Sequence, residues 1–283
     1  MSVPILHKRR LIPGRVSELV IEAPQIAAKA EPGNFIILRL VEAGERIPLT
    51  IADADKDAGT VTLVYLVVGK STALLETFEV GDSILDVCGP LGRPTHIEPR
   101  GTVLCVGGGT GIAAMHHIAK GHSRAGNHVV SVIGARSADL LLFEPELAAI
   151  SSEVLVATDD GSRGQQGLVT AVLEQRIQQG QEAGEQIGEV VAVGPVPMMR
   201  AVADLTRPYG LKTTVSLNSI MVDGIGMCGS CRVTVGDAVQ FACVDGPEFD
   251  AHAVDFAEMM RRQCTFSEQE KLSHETFCRK CHD

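Results

Sequence analysis

Tryptophan is absent from the 283 residues, and aromatic side chains make up only 4%. Any core must therefore be packed from Val, Ile, Leu and Ala, and a hydrophobic content of 45% makes such cores attainable. Long apolar runs are missing too. The longest clean run, VTLVYLVV at 61–68, has the length of a strand and falls far short of a membrane crossing. Basic charge is in deficit: 25 Lys and Arg stand against 35 Asp and Glu, giving a formal net charge of −10. So acidic a surface repels a phosphate backbone and argues against nucleic-acid binding. It leaves a nucleotide site open, because backbone amides can hold a phosphate. The opening stretch MSVPILHKRRLIPG is basic but has no apolar run of export-signal length, so a cytoplasmic protein is expected.

Eight cysteines are present. Cytosolic thiols stay reduced, so no disulfide framework is expected, and clustered cysteines point to metal or redox chemistry. The scattered Cys88 and Cys105 are expected to be small buried hydrophobes.

Chain length allows two domains and a small third. Residues 1–98 carry short β-type runs (FIILRL, VTLVYLVV, SILDVCG) broken by turn signals, with one helix at about 71–78. That spacing predicts a small antiparallel barrel or sandwich. Residues 99–214 alternate continuous apolar strands (TVLCVGG, HVVSVIGA, EVLVATDDG, EVVAVGP) with helical stretches, the pattern of a parallel α/β sheet covered on both faces. Residues 215–283 are irregular and rich in cysteine.

VGGGTGIAA lies where a strand turns into a helix. Gly109-Thr110-Gly111 with Ala114 fits G-x-G-x-x-A, and Gly108 precedes it. Such glycines let backbone approach a pyrophosphate at a helix N-terminus, which predicts NAD(H) or NADP(H). The second strand ends in Ala135-Arg136-Ser137, with no carboxylate for a ribose 2′-hydroxyl; Arg136 is a candidate contact that could favour a 2′-phosphate, so either dinucleotide remains open. Gly194-Pro195 forms a second glycine-bearing strand end that opens a helix. Met198 and Met199 read as packing residues, and His116 and His117 are expected on a helix surface.

Arg46-Ile47-Pro48-Leu49-Thr50 can present a guanidinium and a hydroxyl to one phosphate or ring edge. Gly69-Lys70-Ser71-Thr72 stands at an expected helix start, a second place for a phosphate, and GPLGRP follows at 89–94. In this order, followed by GGGTGIAA and GPVPMM, these motifs resemble the ferredoxin–NADP reductase superfamily over roughly residues 1–215. That resemblance implies an FAD-binding barrel with Arg46, Pro48, Leu49 and Thr50 at the flavin and Gly69, Lys70, Ser71 and Thr72 near its phosphates. It requires no acid–base residue, since the flavin carries the chemistry.

Cys228, Cys231 and Cys243 are spaced C-x2-C-x11-C, with Asp223 five residues before the first. Thiolates at this spacing suit zinc or a [2Fe–2S] cluster; a zinc ribbon lacks its second knuckle here, and a preceding flavin favours the cluster. The tail from MVDGIGMCGSC to AHAVDF resembles two related groups: the electron-transfer subunit of bacterial dihydroorotate dehydrogenase, with cysteine at the first position, and the small subunit of NADH-dependent reduced ferredoxin:NADP oxidoreductase, with aspartate there. The second resemblance implies ligands Asp223, Cys228, Cys231 and Cys243, a larger iron–sulfur flavoprotein partner, ferredoxin reached through that complex, and electron bifurcation. The dihydroorotate dehydrogenase subunit, a non-catalytic redox sensor and a zinc-bearing structural module remain alternatives. The terminal Cys278-Arg279-Lys280-Cys281-His282 spells a haem-attachment motif, but without export it is expected to be a flexible thiol-bearing tail, or a zinc clasp with Cys264 and His274 or His282.

Overall fold

The structure, a computed structural model, describes residues 2–282, with side chains described as far as 277. The expected roles of Cys278, Cys281 and His282 therefore lie outside the described residues.

The first sheet is built from β1 (Val3–Ile12), β2 (Val16–Glu22), β3 (Phe35–Arg39), β4 (Arg46–Asp55), β5 (Thr60–Leu66), β6 (Ser83–Ile84) and β7 (Asp86–Leu91). Every pairing is antiparallel, in the order β6-β1-β2-β5-β4-β3-β7, and the sheet curls into a near-closed barrel. Alternation along the strands fills it: Leu19 and Ile21 of β2 and Val61, Leu63 and Tyr65 of β5 point into one aliphatic core. Two short helices cover its openings, α1 (Pro24–Ala27) and α2 (Lys70–Thr77). The run read as a single strand, SILDVCG, is divided between β6 and β7, and Cys88 on β7 is exposed rather than buried.

A second sheet follows, from β8 (Thr102–Gly108), β9 (His128–Ala135), β10 (Glu153–Thr158), β11 (Gln165–Gln166), β12 (Ile187–Val193) and β13 (Thr213–Ser216), all parallel. Its continuous apolar strands are explained by burial on both faces. Leu104, Val106, Val130, Val132, Val190 and Ala192 face one core, whereas Val103, Cys105, Val129, Ile133, Val191 and Val193 face another. Helix α3 (Gly111–Arg124) and the five-residue α4 (Glu144–Ala148) cover the latter face; α5 (Val169–Glu182) and α6 (Val196–Thr206) cover the former. Burial pushes the Cys105 thiol well above its ordinary value, so it packs as an inert hydrophobe.

Residues after 215 are sewn into this sheet. Beyond the hairpin β14 (Arg232–Val235) and β15 (Ala238–Phe241), β16 (Glu248–Asp250) pairs antiparallel with β13 and closes the sheet's edge. Helix α7 (Phe256–Gln263) is capped by the Asp255 carboxylate, which accepts from the Glu258 amide at 2.8 Å. The expected flexible tail is instead a helix, α8 (Ser267–His282), lying against α2.

The barrel, the connecting segment and β16 meet at Glu248. The Thr95 hydroxyl donates to its carboxylate at 2.6 Å, and a Cβ on Gly33 of the barrel would lie 3.1 Å from the same oxygen. Burial, with Glu189 nearby and only partly offset by Thr95 and Lys212, pushes the Glu248 carboxyl up to about 7. A carboxyl with a raised native value binds its proton more tightly when folded. Its contribution is complete below the unfolded value of 4.5 and is lost as pH rises through about 7. The loss amounts to about 3 kcal/mol. Glu248→Gln should therefore match the parent in denaturant unfolding at pH 4 and be the more stable of the two at pH 8.

Candidate functional site

Of the sequence-predicted residues, Pro48, Leu49, Thr50, Gly108–Gly111, Arg136, Gly194 and Pro195 line two cavities, whereas Arg46, Gly69–Thr72, Asp223, Cys228, Cys231 and Cys243 line neither. Strand β8 ends in consecutive glycines because nothing larger fits. A Cβ on Gly111 would lie 2.5 Å from the Val193 carbonyl oxygen, and one on Gly107 would lie 3.1 Å from the Ile112 Cα. Gly109 adopts φ +56°, which favours glycine and turns the chain into α3. The loop thus offers bare backbone at a helix N-terminus, the arrangement that holds a pyrophosphate.

Two cavities share this loop as lining. One, of about 630 Å³, is lined by Gly108–Thr110, Arg136, Pro195 and Met198 of the sheet domain and by Arg15, Leu66 and Val68 of the barrel. Asp159, just past β10, lines it too. This carboxylate escapes a sequence reading confined to the second strand; the signal was the Asp159-Asp160-Gly161 that ends the third. A carboxylate there can accept from ribose hydroxyls and repels a 2′-phosphate.

The other cavity, of about 590 Å³, has walls from all three segments. Pro48, Leu49 and Thr50 come from β4, Gly108–Gly111 and Gly194–Val196 from the sheet domain, and Ser216–Ser219, Met221 and Gln263 from the last segment. Gly108, Gly109, Thr110 and Pro195 line both cavities. Arg46 lies outside these walls, exposed at the start of β4. It is next to Glu45, whose carboxylate accepts from Ser71 at 2.5 Å, so that bond brings the start of α2 to the same rim. Gly69 and Lys70 open α2, where the Thr72 hydroxyl is already used as a cap: it accepts from the Val68 and Gly69 amides at 3.0 and 3.1 Å.

His116 and His117 are not on a helix surface. Both are buried where α3 meets β4, and His117 Nδ1 lies 3.0 Å from the Ile51 carbonyl oxygen. Desolvation lowers both imidazoles below their ordinary value, only partly offset by the Asp53 charge and, at His117, by the bond to Ile51.

Met221 leads from the second cavity into the loop that carries Asp223 and Cys228. The Asp223 carboxylate accepts from the Ile225 amide at 2.8 Å and the Cys228 amide at 2.5 Å. Those amides hold its carboxyl below the ordinary range. Cys231 and Cys243 are buried beside each other, with the Cys243 amide donating to Cys231 Sγ at 3.4 Å. Burial, reinforced by Cys231, pushes the Cys243 thiol up to about 12. At Cys228 desolvation also opposes ionisation, but hydrogen bonds from the Ser230 hydroxyl and amide outweigh it and lower the thiol.

The four donors thus stand as two pairs. Among the described residues no three or more His, Cys, Asp or Glu side chains converge as a site for one metal ion. Paired oxygen and sulfur donors suit a two-iron cluster, in which each iron takes two protein ligands. The loop leaves room for no larger residue on its inner side: a Cβ on Gly224 would lie 2.7 Å from Leu91 and 2.8 Å from Ile37 of the barrel.

Comparison with known proteins agrees with this geometry. Residues 218–255 match the model for the iron–sulfur cluster binding domain of dihydroorotate dehydrogenase B, and residues 105–204 match the oxidoreductase NAD-binding domain. The Thermotoga maritima protein named as a dihydroorotate dehydrogenase B (NAD(+)) electron transfer subunit homolog is 47% identical over 262 residues, covering 93% of this chain and 91% of that protein. The Geobacillus thermodenitrificans dihydroorotate dehydrogenase B (NAD(+)) electron transfer subunit is 36% identical, covering 87% and 95%. A solved chain of the NADH-dependent reduced ferredoxin-NADP oxidoreductase, described in connection with flavin-based electron bifurcation, superposes with a TM-score of 0.90 at 44% identity, covering 97% of each chain.

Removal of one thiol tests the clasp. Cys243→Ala, purified without oxygen, should lose its iron while holding dinucleotide within about twofold of the parent, since the two sites share no side chain. Asp223→Cys should keep its iron at a lower reduction potential, because a thiolate donates more softly than a carboxylate; metal analysis and redox titration read both outcomes.

Proposed function

The chain belongs to the family of dihydroorotate dehydrogenase B electron-transfer subunits and their homologues, built on the ferredoxin–NADP reductase fold, and from that premise we propose that it passes electrons between NAD(H), FAD and a [2Fe–2S] cluster within a bifurcating NADH-dependent ferredoxin:NADP oxidoreductase complex. One observation carries the reading: a single glycine loop lines both cavities, and the wall of the second includes Met221, two residues before Asp223. Bound flavin would take electrons as a pair from a dinucleotide and give them up singly, the form an iron–sulfur centre accepts.

The chain's own residues bind and orient. The amides of Gly108–Thr110 would hold the pyrophosphate. Asp159 would accept from the adenosine ribose and disfavour a 2′-phosphate, against the opposite pull of Arg136 in the same cavity, and on this reading NADH is the preferred donor. Pro48, Leu49 and Thr50 would border a bound flavin, and Arg46 with the start of α2 would be available to its phosphates. Proline and aliphatic side chains from three segments keep water from the space between the two cofactors. Asp223 and Cys228 would hold one iron, and Cys231 and Cys243 the other.

Aspartate at the first ligand position and the 0.90 TM-score to the ferredoxin-NADP oxidoreductase chain support the bifurcating assignment over the dihydroorotate one. The relative that is 47% identical, named for dihydroorotate dehydrogenase B, favours the second reading. Purification of the complex from its native host separates them. The first reading expects a second iron–sulfur flavoprotein and NADH-dependent reduction of NADP+ that requires reduced ferredoxin. Electron transfer from dihydroorotate to NAD+ would replace it with the second. Asp159→Ser should raise kcat/KM for NADPH by about tenfold relative to NADH in a dye-reduction assay.

A further inference from the structure

Helix α3 does more than present its N-terminus. Nine of its residues are buried, among them His116, His117 and His122, because the barrel closes on the side that faces away from the sheet. On that side α3 meets β4, the strand that carries Pro48, Leu49 and Thr50. Just after Thr50 the strand bulges: Ile51 pairs with Leu63 and Asp53 with Thr62, which leaves Ala52 without a partner on β5. Bulges next to sites re-aim neighbouring side chains and free backbone groups from the ladder. The Ile51 carbonyl receives the His117 ring at 3.0 Å. A carbonyl only accepts, so Nδ1 carries the proton and the neutral imidazole donates. On the same face of α3, Lys120 pairs with Asp53 at 2.5 Å. Both bonds cross from the dinucleotide-loop helix to the flavin-bordering strand, one on each side of the bulge.

We propose that His117 and Lys120 of α3 form a latch with Ile51 and Asp53 of the β4 bulge, and that this latch sets the spacing between the dinucleotide loop and the flavin strand, making both residues positioning residues for hydride transfer. The proposal rests on the function proposed above. Its physical basis is that hydride transfer depends on reactant spacing to a fraction of an ångström, whereas cofactor binding, spread over many contacts, does not. A buried carbonyl deprived of its donor must find water or rearrange, and either response moves the segment next to Thr50.

The test uses the FAD-loaded, cluster-bearing chain. His117→Leu removes the donor, and His117→Asn keeps an N–H that can reach the same carbonyl. Lys120→Met opens the other half of the latch without a change at the buried ring. Arg9→Gln is the control, since it removes an exposed 3.8 Å ion pair to Glu146 that also crosses from the barrel to the α/β layer. His117→Leu should keep its flavin and bind NADH within about threefold of the parent, yet transfer hydride at least about tenfold more slowly in single turnover, with a weaker charge-transfer band. Lys120→Met should move in the same direction, His117→Asn should recover most of the rate, and Arg9→Gln should match the parent.

Amide exchange without dinucleotide gives a readout independent of turnover. It should quicken in residues 46–55 and 111–120 in His117→Leu and return toward the parent in His117→Asn. Unchanged exchange in both segments overturns the latch, as do equal hydride rates in the Leu and Asn variants or an Arg9→Gln rate as slow as that of His117→Leu. A parent chain whose flavin neither NADH nor NADPH reduces would instead overturn the proposed function, and the exchange measurement would still decide the latch.

Discussion

The organisation of this molecule depends on how closely the end of β8 approaches the end of β12. Side chains are excluded there: Gly107, Gly108 and Gly111 would each drive a Cβ into Ile112, Met198 or Val193. With glycines up to Thr110, one stretch, Gly108–Thr110, forms a wall shared by two cavities. Any side chain at these positions would push the two spaces apart. Nearness of the two cavities is thus a consequence of missing atoms, and it needs no catalytic acid or base.

A second constraint acts at the other end of the crevice. The cysteine-bearing segment is not a module on a tether. Strand β16 closes the edge of the parallel sheet, and Phe35 and Ile37 of the barrel share one aliphatic core with Met221, Cys231 and Cys243. Gly224 lies against Leu91 and Ile37, so the loop bearing Asp223 is seated on the barrel wall. A centre held by those donors would be fixed relative to the second cavity by ordinary side-chain packing.

Much of this architecture could be read from local pattern. The alternation of Leu104 and Val106 against Val103 and Cys105 is what a strand covered on both faces requires, and the glycines after it could mark only a strand-to-helix turn. Elements shorter than one helical turn or a few strand residues left no periodic signal, which is why β13 and β16 were missed and SILDVCG read as one strand. The burial of His116 and His117 was hidden for a different reason. Helical periodicity marks the face turned to the sheet, and nothing local to α3 reports that a barrel descends on the other. Asp159 was hidden by topology: it enters the cavity from the strand beyond the one where a ribose-binding carboxylate is ordinarily sought. Cys88 was assigned by residue type alone, whereas its place on β7 turns it outward. Asp223, Cys228, Cys231 and Cys243 are marked by spacing, but only the fold shows them as two pairs, one partly open and one buried.

The central claim is that the shared wall and the seated loop make one chain into a continuous path from dinucleotide to iron. Rapid mixing of the FAD-loaded, cluster-bearing chain with one equivalent of NADH without oxygen, followed at the visible bands of flavin and cluster, tests it most directly. The account predicts that the cluster is reduced after the flavin at a rate independent of protein concentration, because the electron never leaves the chain. A rate proportional to protein concentration, or a cluster that stays oxidised beside a reduced flavin, would contradict it.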